Sequence, residues 1–318
     1  MLFDVFNGDA DGLCALHQFR LAEPGTARLI SGVKRDVELL GQVDASAGDR
    51  VCVFDISLRS NRSHVDRLLD RGAFVRYFDH HEAGELPVDP KFEGHIDTAP
   101  AACTSIIVDR WLGGQFRGWA VAAAYGDNLQ ASAGALADLA GFDERQRAVL
   151  REVGECLNYN GYGDSIEDLY FDPVTLYAAM SGYESPWDFA DKAAEMHALR
   201  EGYAADSAWM ATLEPATVDP CWRLYTLPDT AQSRRSTGML ANRVALEQPT
   251  LAHAVLTPNT RGTWTVSVRA PVDNPHRALD ACKPFGGGGR HAAAGINDLA
   301  DRDIGRFAQQ MRFVFGSP

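Results

Sequence analysis

The sequence predicts an α/β protein, with a doubly wound, mainly parallel sheet joined by a helical linker to a smaller α/β C-terminal domain. Two observations carry this prediction. Apolar, strand-like runs alternate with helix-like segments through the first 80 residues, which is typical of a parallel sheet covered on both faces. The chain is also long, at 318 residues, and its pattern changes near residue 209, so two domains are expected.

The N-terminal elements follow from apolar periodicity. Strands are expected at Leu2–Phe6, Arg28–Ser31, Arg50–Asp55 and Ala73–Phe78. Helices are expected at Leu13–Leu21, Val37–Val43 and Ser63–Arg71, with two more within residues 102–126. Residues 129–200 are predicted to be mainly helical, including a connecting helix at Trp187–Tyr203. These elements predict a first domain over residues 1–195, with its mainly helical part at 129–195, and a linker at 196–208.

The C-terminal domain is expected over residues 209–318. Strands are predicted at Cys221–Leu227, Leu251–Thr257 and Trp264–Arg269, and helices at Ser236–Glu247, His276–Cys282 and Arg302–Phe313. An alanine-rich stretch from Ala292 is predicted to begin a further helix.

Charge divides along the same boundary. The net charge is −13, with −15 in residues 1–205 (18 Lys/Arg, 33 Asp/Glu) and +2 in residues 206–318 (12 Lys/Arg, 10 Asp/Glu). This acidity argues against a protein that grips long duplex DNA by neutralising its phosphates, but it leaves short nucleic acids open.

The compartment is expected to be the cytoplasm. The six cysteines show no CxxC spacing, which predicts reduced, mostly buried thiols. The start of the chain does not resemble a signal peptide, and no apolar run approaches the roughly 20 residues of a membrane helix.

Carboxylates and imidazoles recur where strands or helices end. The motifs are Asn7-Gly8-Asp9-Ala10-Asp11-Gly12, then Asp55, then Asp79-His80-His81, and finally Asp127-Asn128. In parallel sheets, ligands bind beyond the carboxyl ends of the strands. The candidate ligands are four carboxylates and one imidazole: Asp9, Asp11, Asp55, Asp127 and His80. Such an oxygen-rich set suits Mn²⁺ or Mg²⁺ better than structural zinc. Two such ions that share a carboxylate would lower the pKa of a bound water, and the resulting hydroxide would attack a phosphoester.

The motifs resemble those of the DHH phosphoesterase superfamily: NGDADG at 7–12, VFD at 53–55, DHH at 79–81 and GDN at 126–128. ACTSIIVD at 102–109 also resembles a helix start of that family. The resemblance implies that Asp9 and Asp55 bind one Mn²⁺, with Mg²⁺ or Co²⁺ as substitutes. It further implies the ligands of a second ion, which are Asp11, Asp55, His80 and Asp127. Asp79 would then orient His80, and His81 would face the substrate phosphate.

One position departs from the family pattern. Asn7 stands where relatives often carry His or Asp, and an amide oxygen is a weaker ligand for a hard cation. The first ion is therefore expected to bind loosely, or only together with substrate.

A glycine run is the second strong signal. Gly286, Gly287, Gly288 and Gly289 are followed by Arg290 and His291, and this segment resembles the GGH-x-x-AAG pattern of the DHH-associated C-terminal domain, with Arg290 in place of a histidine. Backbone N–H groups before a helix would bind an anion, and Arg290 and His291 would add charged contacts. By the same resemblance, Arg269 would face the substrate.

These features predict a hydrolase of short single-stranded oligonucleotides or small nucleotides, acting by two-metal water activation in a cleft between two domains. Two alternatives stay open: a nucleotide-binding regulator with a decayed metal site, suggested by Asn7, and a pyrophosphatase or polyphosphatase. Neither cleavage polarity nor the choice between RNA and DNA follows from the sequence, and a homodimer is left open.

Overall fold

The computed structural model describes residues Met1–Gly316, which form two compact units. The first unit spans Met1–Tyr203, and the second begins at Ala204. The helix Ala194–Met210 contains this division. The domain bounds expected from the sequence, 1–195 and 209–318 around a linker at 196–208, remain a prediction.

A five-stranded sheet organises the first unit. Its strands are β1 (Leu2–Phe6), β2 (Arg28–Ile30), β3 (Arg50–Phe54), β4 (Phe74–Asp79) and β5 (Phe92–Ile96). They lie in the order β2-β1-β3-β4-β5, and every neighbouring pair is parallel. The predicted α/β class is therefore confirmed. The order reverses between β1 and β3, and such a switch point is where open α/β sheets bind ligands.

Helices cover both faces of this sheet. They are α1 (Ala10–Ala22), α2 (Leu58–Asp70), α3 (Thr104–Trp111), α4 (Arg117–Gly126), α5 (Gln130–Ala140), α6 (Glu144–Asn160), α7 (Pro173–Met180), α8 (Pro186–Lys192) and α9 (Ala194–Met210). One core lies between the sheet and the helices α1, α3, α4 and α6, around Leu13, Phe54 and Trp119. The other core lies under α2, around Val53 and Leu68. Sheet residues thus alternate between two apolar layers, as a doubly wound sheet requires.

Two helices of the first unit differ from the prediction. Val37–Val43 forms only a 3₁₀ turn, Leu39–Gln42. The Asn61 amide takes the place of helical bonds there, since it accepts from the Leu40 N–H and donates to the Val37 carbonyl. The helix expected over Trp187–Tyr203 is divided into α8 and α9, because Ala193 adopts an extended conformation. The edge strand β5, which is half-buried and carries Gly94, was not predicted.

The second unit contains a mixed sheet. Its strands are β6 (Thr217–Val218), β7 (Trp222–Thr226), β8 (Ala252–Pro258), β9 (Trp264–Arg269), β10 (Gly288–Gly289) and β11 (Ala293–Leu299), in the order β10-β11-β9-β8-β7-β6. Its helices are α10 (Ala231–Glu247), α11 (Ala278–Cys282) and α12 (Ile304–Phe315). The pair β7–β8 is parallel and the other pairs are antiparallel.

The prediction of a helix in the alanine-rich stretch from Ala292 is wrong. Residues Ala293–Leu299 form β11, which pairs antiparallel with β9. Ala294 and Ile296 are buried while the residues beside them are more exposed, which is the alternation of a strand. Burial on one face of the sheet therefore outweighs the helix propensity of alanine.

Two further expectations concern cysteines and membranes. The six cysteines are free thiols, five of them buried. Within the described residues, no helix combines the length and the apolar character that a bilayer crossing demands.

Candidate metal centre

The carboxyl end of the first sheet collects the N-terminal motifs. Asp9 follows β1, Asp55 follows β3, Asp79 ends β4, and Asp127 comes directly after α4. Because β1 and β3 flank the switch point of the sheet, their ends open on a common crevice. Parallel topology therefore gathers Asp9, Asp55 and Asp79, and the end of α4 adds Asp127.

Asp11 is held by the start of α3. Its two carboxylate oxygens accept the backbone N–H groups of Thr104 and Ser105, each at 2.7 Å. These N–H groups have no helical partner, and the positive end of the helix dipole stabilises an anion there. The ACTSIIVD segment thus fixes the position of the Asp11 side chain.

Asp55 adopts a left-handed backbone conformation, with φ of 59°. Side chains rarely occupy this region, although Asp and Asn enter it more easily than most residues. The Asp55 Oδ1 atom accepts the Thr104 hydroxyl at 3.1 Å and lies 3.4 Å from the Nε2 atom of His80. Such backbone strain is characteristic of functional sites, and here it aims a buried carboxylate at an imidazole.

Asp79 binds His81, and the expectation that it orients His80 is wrong. The Asp79 Oδ1 atom accepts both the backbone N–H and the Nδ1 atom of His81, at 3.2 and 2.7 Å. The His80 Nδ1 atom instead bonds the carbonyl of Ala102 at 3.1 Å, which leaves its Nε2 atom facing Asp55. Successive side chains at a strand end point in different directions, so the two imidazoles have different partners.

Two overlapping groups of side chains are placed to hold a cation. The ligand atoms of Asp11, His80 and Asp127 lie within 4.8 Å of one another, and so do those of Asp55, His80 and His81. Carboxylate oxygens with one or two imidazole nitrogens suit a divalent cation such as Mn²⁺ or Mg²⁺. The residues present are therefore compatible with divalent-cation binding.

Charge in the cluster also favours a cation. Burial raises the pKa of Asp55 well above its usual value, and the charges of Asp11 and Asp9 raise it further. Burial and Asp11 likewise raise the pKa of Asp127 to about 6. Burial alone would lower the pKa of His80, but its hydrogen bond with Asp55 and the charge of Asp11 raise it to about 10. Ionisation of these buried carboxyl groups is therefore unfavourable in the free protein, and a divalent cation would favour it.

Asn7 and Asp9 are engaged elsewhere. Asp9 caps α1, with Oδ1 accepting the N–H groups of Asp11 and Gly12 at 3.0 and 3.1 Å, and its Oδ2 atom lies 2.6 Å from the ammonium of Lys34. The Asn7 amide donates to the Lys34 carbonyl and accepts from the Asp9 N–H, both at 3.3 Å. Neither residue belongs to the two groups whose ligand atoms lie within 4.8 Å of one another, although Asp9 is close enough for its charge to act on Asp55 and Asp127.

Comparison with solved structures identifies the fold. Over 98% of this chain, a manganese-bound exonuclease RecJ superposes with a TM-score of 0.54 at 15% identity, covering 88% of that protein. RecJ from Thermus thermophilus in complex with Mn²⁺ superposes over the same share with a TM-score of 0.60 at 16% identity, covering 51% of its own chain. The pGpG-specific phosphodiesterase PggH from Vibrio cholerae gives 0.59 at 14% identity, and covers 98% of this chain and 99% of its own. The chain shares the fold of these three proteins.

This fold is recognised by structure alone, because no protein-family model and no curated protein matches the sequence. At 14–16% identity the likeness shows the shared fold, and the residues above must carry any argument about chemistry.

The glycine run lies on a sheet edge. Gly288 and Gly289 form β10, which pairs with β11, and the Arg290 N–H donates to the Ala293 carbonyl at 2.8 Å. The segment does not precede a helix, so the helix-terminus explanation of anion binding is wrong here. The side chains of Arg290 and His291 are exposed. Their proposed contacts with substrate would come from the side chains and the strand edge.

The other expected substrate residue of the second unit, Arg269, is half-buried and held by neighbours. Its Nε atom donates to the Asn242 amide oxygen at 2.8 Å, and its Nη1 atom donates to the Ser267 hydroxyl at 2.9 Å. Gly286 has a φ of 73° and ends a 3₁₀ turn, and Gly287 packs against Cys282, so both shape the backbone before β10.

The sequence prediction did not place Lys34, Asn158 and Tyr162 beside the candidate metal centre. Lys34 follows β2, the edge strand beside β1, and the carboxyl end of β2 opens on the same edge as the motif strands. The Asn158 Oδ1 atom accepts from the Lys34 ammonium at 3.0 Å, and the Tyr162 hydroxyl accepts from the Asn158 amide at 2.8 Å. The sequence did contain one indication of Lys34, because a basic residue stands shortly after β2, the strand beside β1.

Proposed function

We propose that the protein is a divalent-cation-dependent phosphodiesterase that hydrolyses short single-stranded oligonucleotides or small nucleotides, with Mn²⁺ as the preferred cation. The observation that carries the proposal is the convergence of Asp11, Asp55, His80 and Asp127 at the switch point of the sheet. The fold neighbours include an exonuclease and a pGpG-specific phosphodiesterase, which agrees with phosphoester hydrolysis.

The cation, when bound, would supply a lowered pKa for attacking water and a charge against the phosphoryl oxygens. Asp11, His80 and Asp127 would hold it, and Asp55 would add a further carboxylate. Asp11 is preorganised for this task, because α3 already fixes both of its oxygens in position.

His81 is proposed to act on the substrate. Its side chain is 44% exposed, whereas the Asp79 carboxylate that binds its Nδ1 atom is buried. That hydrogen bond fixes the ring tautomer with a proton on Nδ1 and leaves Nε2 free for the substrate. When Nε2 carries a proton, His81 can donate a hydrogen bond to a phosphate oxygen or give that proton to the leaving oxygen.

The substrate is proposed to be small. The net charge of −13 disfavours a long phosphate backbone. The chain spans about half of the Thermus thermophilus RecJ chain but nearly all of the pGpG-specific phosphodiesterase. Within the second unit, Arg290, His291, Arg269 and the glycine backbone are proposed to bind the nucleotide.

A turnover panel tests the proposal. Purified protein with Mn²⁺ should release mononucleotides from di- to pentanucleotides, read by product chromatography. The Asp55→Asn variant should not, whereas Asp66→Asn, which changes an exposed carboxylate on α2, should match the wild type. Turnover of pyrophosphate in preference to dinucleotides would replace the proposal with a pyrophosphatase. Tight nucleotide binding without turnover under Mn²⁺, Mg²⁺ or Co²⁺ would replace it with a regulator.

A further inference from the structure

We infer that the Lys34 ammonium is a built-in cation that stands in place of the first metal ion of the resemblance, so that the centre binds one divalent cation and not two. The inference rests on the proposed function in one respect, namely that Asp11, His80 and Asp127 bind a cation. It concerns the other half of the cluster, where Asn7 and Asp9 lie.

The Lys34 ammonium is surrounded by acceptors. Its Nζ atom lies 2.6 Å from Asp9 Oδ2, 3.0 Å from Asn158 Oδ1 and 3.5 Å from Asp127 Oδ1. A lysine ammonium has three N–H donors, and three oxygens face it here. Two of these oxygens belong to residues that the resemblance assigns to metal binding.

The backbone of Lys34 is fixed at the same place. Its N–H donates to the Gly161 carbonyl at 3.0 Å, and its carbonyl accepts from the Asn7 amide. Its ammonium also lies 5.9 Å from the centre of the Tyr162 ring. Gly161 itself approaches Asp9 so closely that an added Cβ would lie 3.0 Å from the Asp9 Cβ. The ammonium is therefore positioned by its surroundings and is not a mobile surface charge.

Asp9 differs from Asp11 because one of its oxygens already faces a positive charge. Oδ1 is used by the N-terminus of α1, and Oδ2 is used by Lys34. A divalent cation bound to Oδ2 would stand against the ammonium at close range, and two like charges in a buried site repel strongly. Neither of the cation-holding groups found among residues 1–316 includes Asp9.

The residue types agree with this interpretation. Asn7 supplies an uncharged amide where the family pattern has a stronger ligand, which is what a site already neutralised by an ammonium requires. Lysine is also rare in this chain, since 26 of its 30 basic residues are arginine. A lysine ammonium is a compact point charge like a metal ion, whereas the broad planar guanidinium of arginine is not.

Counting bound Mn²⁺ tests the inference. Equilibrium dialysis followed by metal analysis should give one Mn²⁺ per wild-type chain, with the electron paramagnetic resonance spectrum of an isolated ion. Lys34→Met should allow a second ion and produce a spin-coupled pair, because Asp9, Asn158 and Asp127 lose their cation. Lys192→Met, which changes an exposed lysine, should still bind one isolated ion.

The outcomes separate the two proposals. Two spin-coupled ions in the wild type would overturn the inference and leave the proposed function intact. A single ion in both the wild type and Lys34→Met would also overturn it, since Lys34 would not be what excludes the second. No bound ion in the wild type would overturn the proposed function itself.

A second pair of variants keeps the test decisive if Lys34→Met does not fold. Asp9→Asn retains a good helix cap and should change the Mn²⁺ dissociation constant by less than about threefold, whereas Asp11→Asn should raise it by about a hundredfold. Equal, large losses in both variants would show that Asp9 is a metal ligand and would refute the role of Lys34.

Discussion

Two regions of the molecule differ in what the fold holds in place. One is the acidic cluster at the end of the first sheet (Asp9, Asp11, Asp55, His80 and Asp127), and the other is the glycine segment of the second unit (residues 286–291). In the acidic cluster, side chains are fixed by partners that the fold supplies, such as the α3 N-terminus around Asp11. In the glycine segment, the backbone is fixed by pairing with β11, while the two charged side chains are exposed.

This difference implies a division of labour. Groups that must act on a reacting phosphorus need fixed geometry and low exposure, which the acidic cluster has. Groups that only recognise a nucleotide can be mobile in the free protein. If the division holds, changes in the acidic cluster lower kcat, and changes in the glycine segment raise KM or destabilise the second unit alone.

The largest expected effect is that of Asp55→Asn. Asn tolerates the left-handed backbone of this position, so the fold should persist, while loss of a ligand for the cation should lower kcat by about 10³-fold. Because the raised pKa of Asp55 means that its charge is unfavourable in the cation-free fold, the variant should also have an equal or higher Tm in the presence of chelator. Steady-state kinetics and a thermal melt check both parts. A lower Tm with unchanged kcat would assign Asp55 to structure.

The next largest effect is expected for His81→Ala, with about a 10²-fold lower kcat and Mn²⁺ binding nearly unchanged. Asp79→Asn should have a smaller effect of the same kind, because an amide in that place no longer favours the Nδ1–H tautomer of His81. The split between kcat and KM distinguishes positioning from structure: Asp79→Asn should lower kcat and leave KM nearly unchanged, because the His81 ring is still present but less well oriented. An equal kcat in wild type and Asp79→Asn would contradict this role.

The sequence predicted the acidic cluster better than the glycine segment for a physical reason. Strand ends in a parallel sheet converge, so Asp55 and His80 could be placed from apolar runs alone. Lys34 was not predicted as part of the cluster, because it lies on a loop whose position depends on contacts with residues 158 and 161, far along the chain. The alanines after the glycine run have a high helix propensity, but the segment forms β11 because it pairs with β9.

Within the glycine segment, Gly288 and Gly289 are adjacent but differ in how much space a side chain would have. Gly289 has a φ of 131°, and an added Cβ would lie 2.6 Å from the Ala293 carbonyl oxygen, whereas a Cβ on Gly288 would meet nothing within 4 Å. Gly289→Ala should therefore destabilise the second unit by about 1–3 kcal/mol, and Gly288→Ala should leave it within about 0.5 kcal/mol. Denaturant titration with probes in each unit measures this. Equal losses in both variants would mean that glycine is needed along the whole run.

The smallest expected effect is that of Arg290→Ala. Its guanidinium has no ion-pair partner among residues 1–316, so truncation should not disturb the fold, and the backbone bond from its N–H to Ala293 is retained. Loss of one exposed phosphate contact of about 1 kcal/mol corresponds to a roughly fivefold higher KM, with kcat within about twofold of the wild type. Added salt should raise the wild-type KM toward that of the variant, because screening weakens the same contact. Arg302→Ala, which removes another exposed arginine of this unit, is the matched control and should leave KM unchanged. A fall in kcat for Arg290→Ala would break the division between the two regions, since it would place this exposed side chain at the reacting phosphorus.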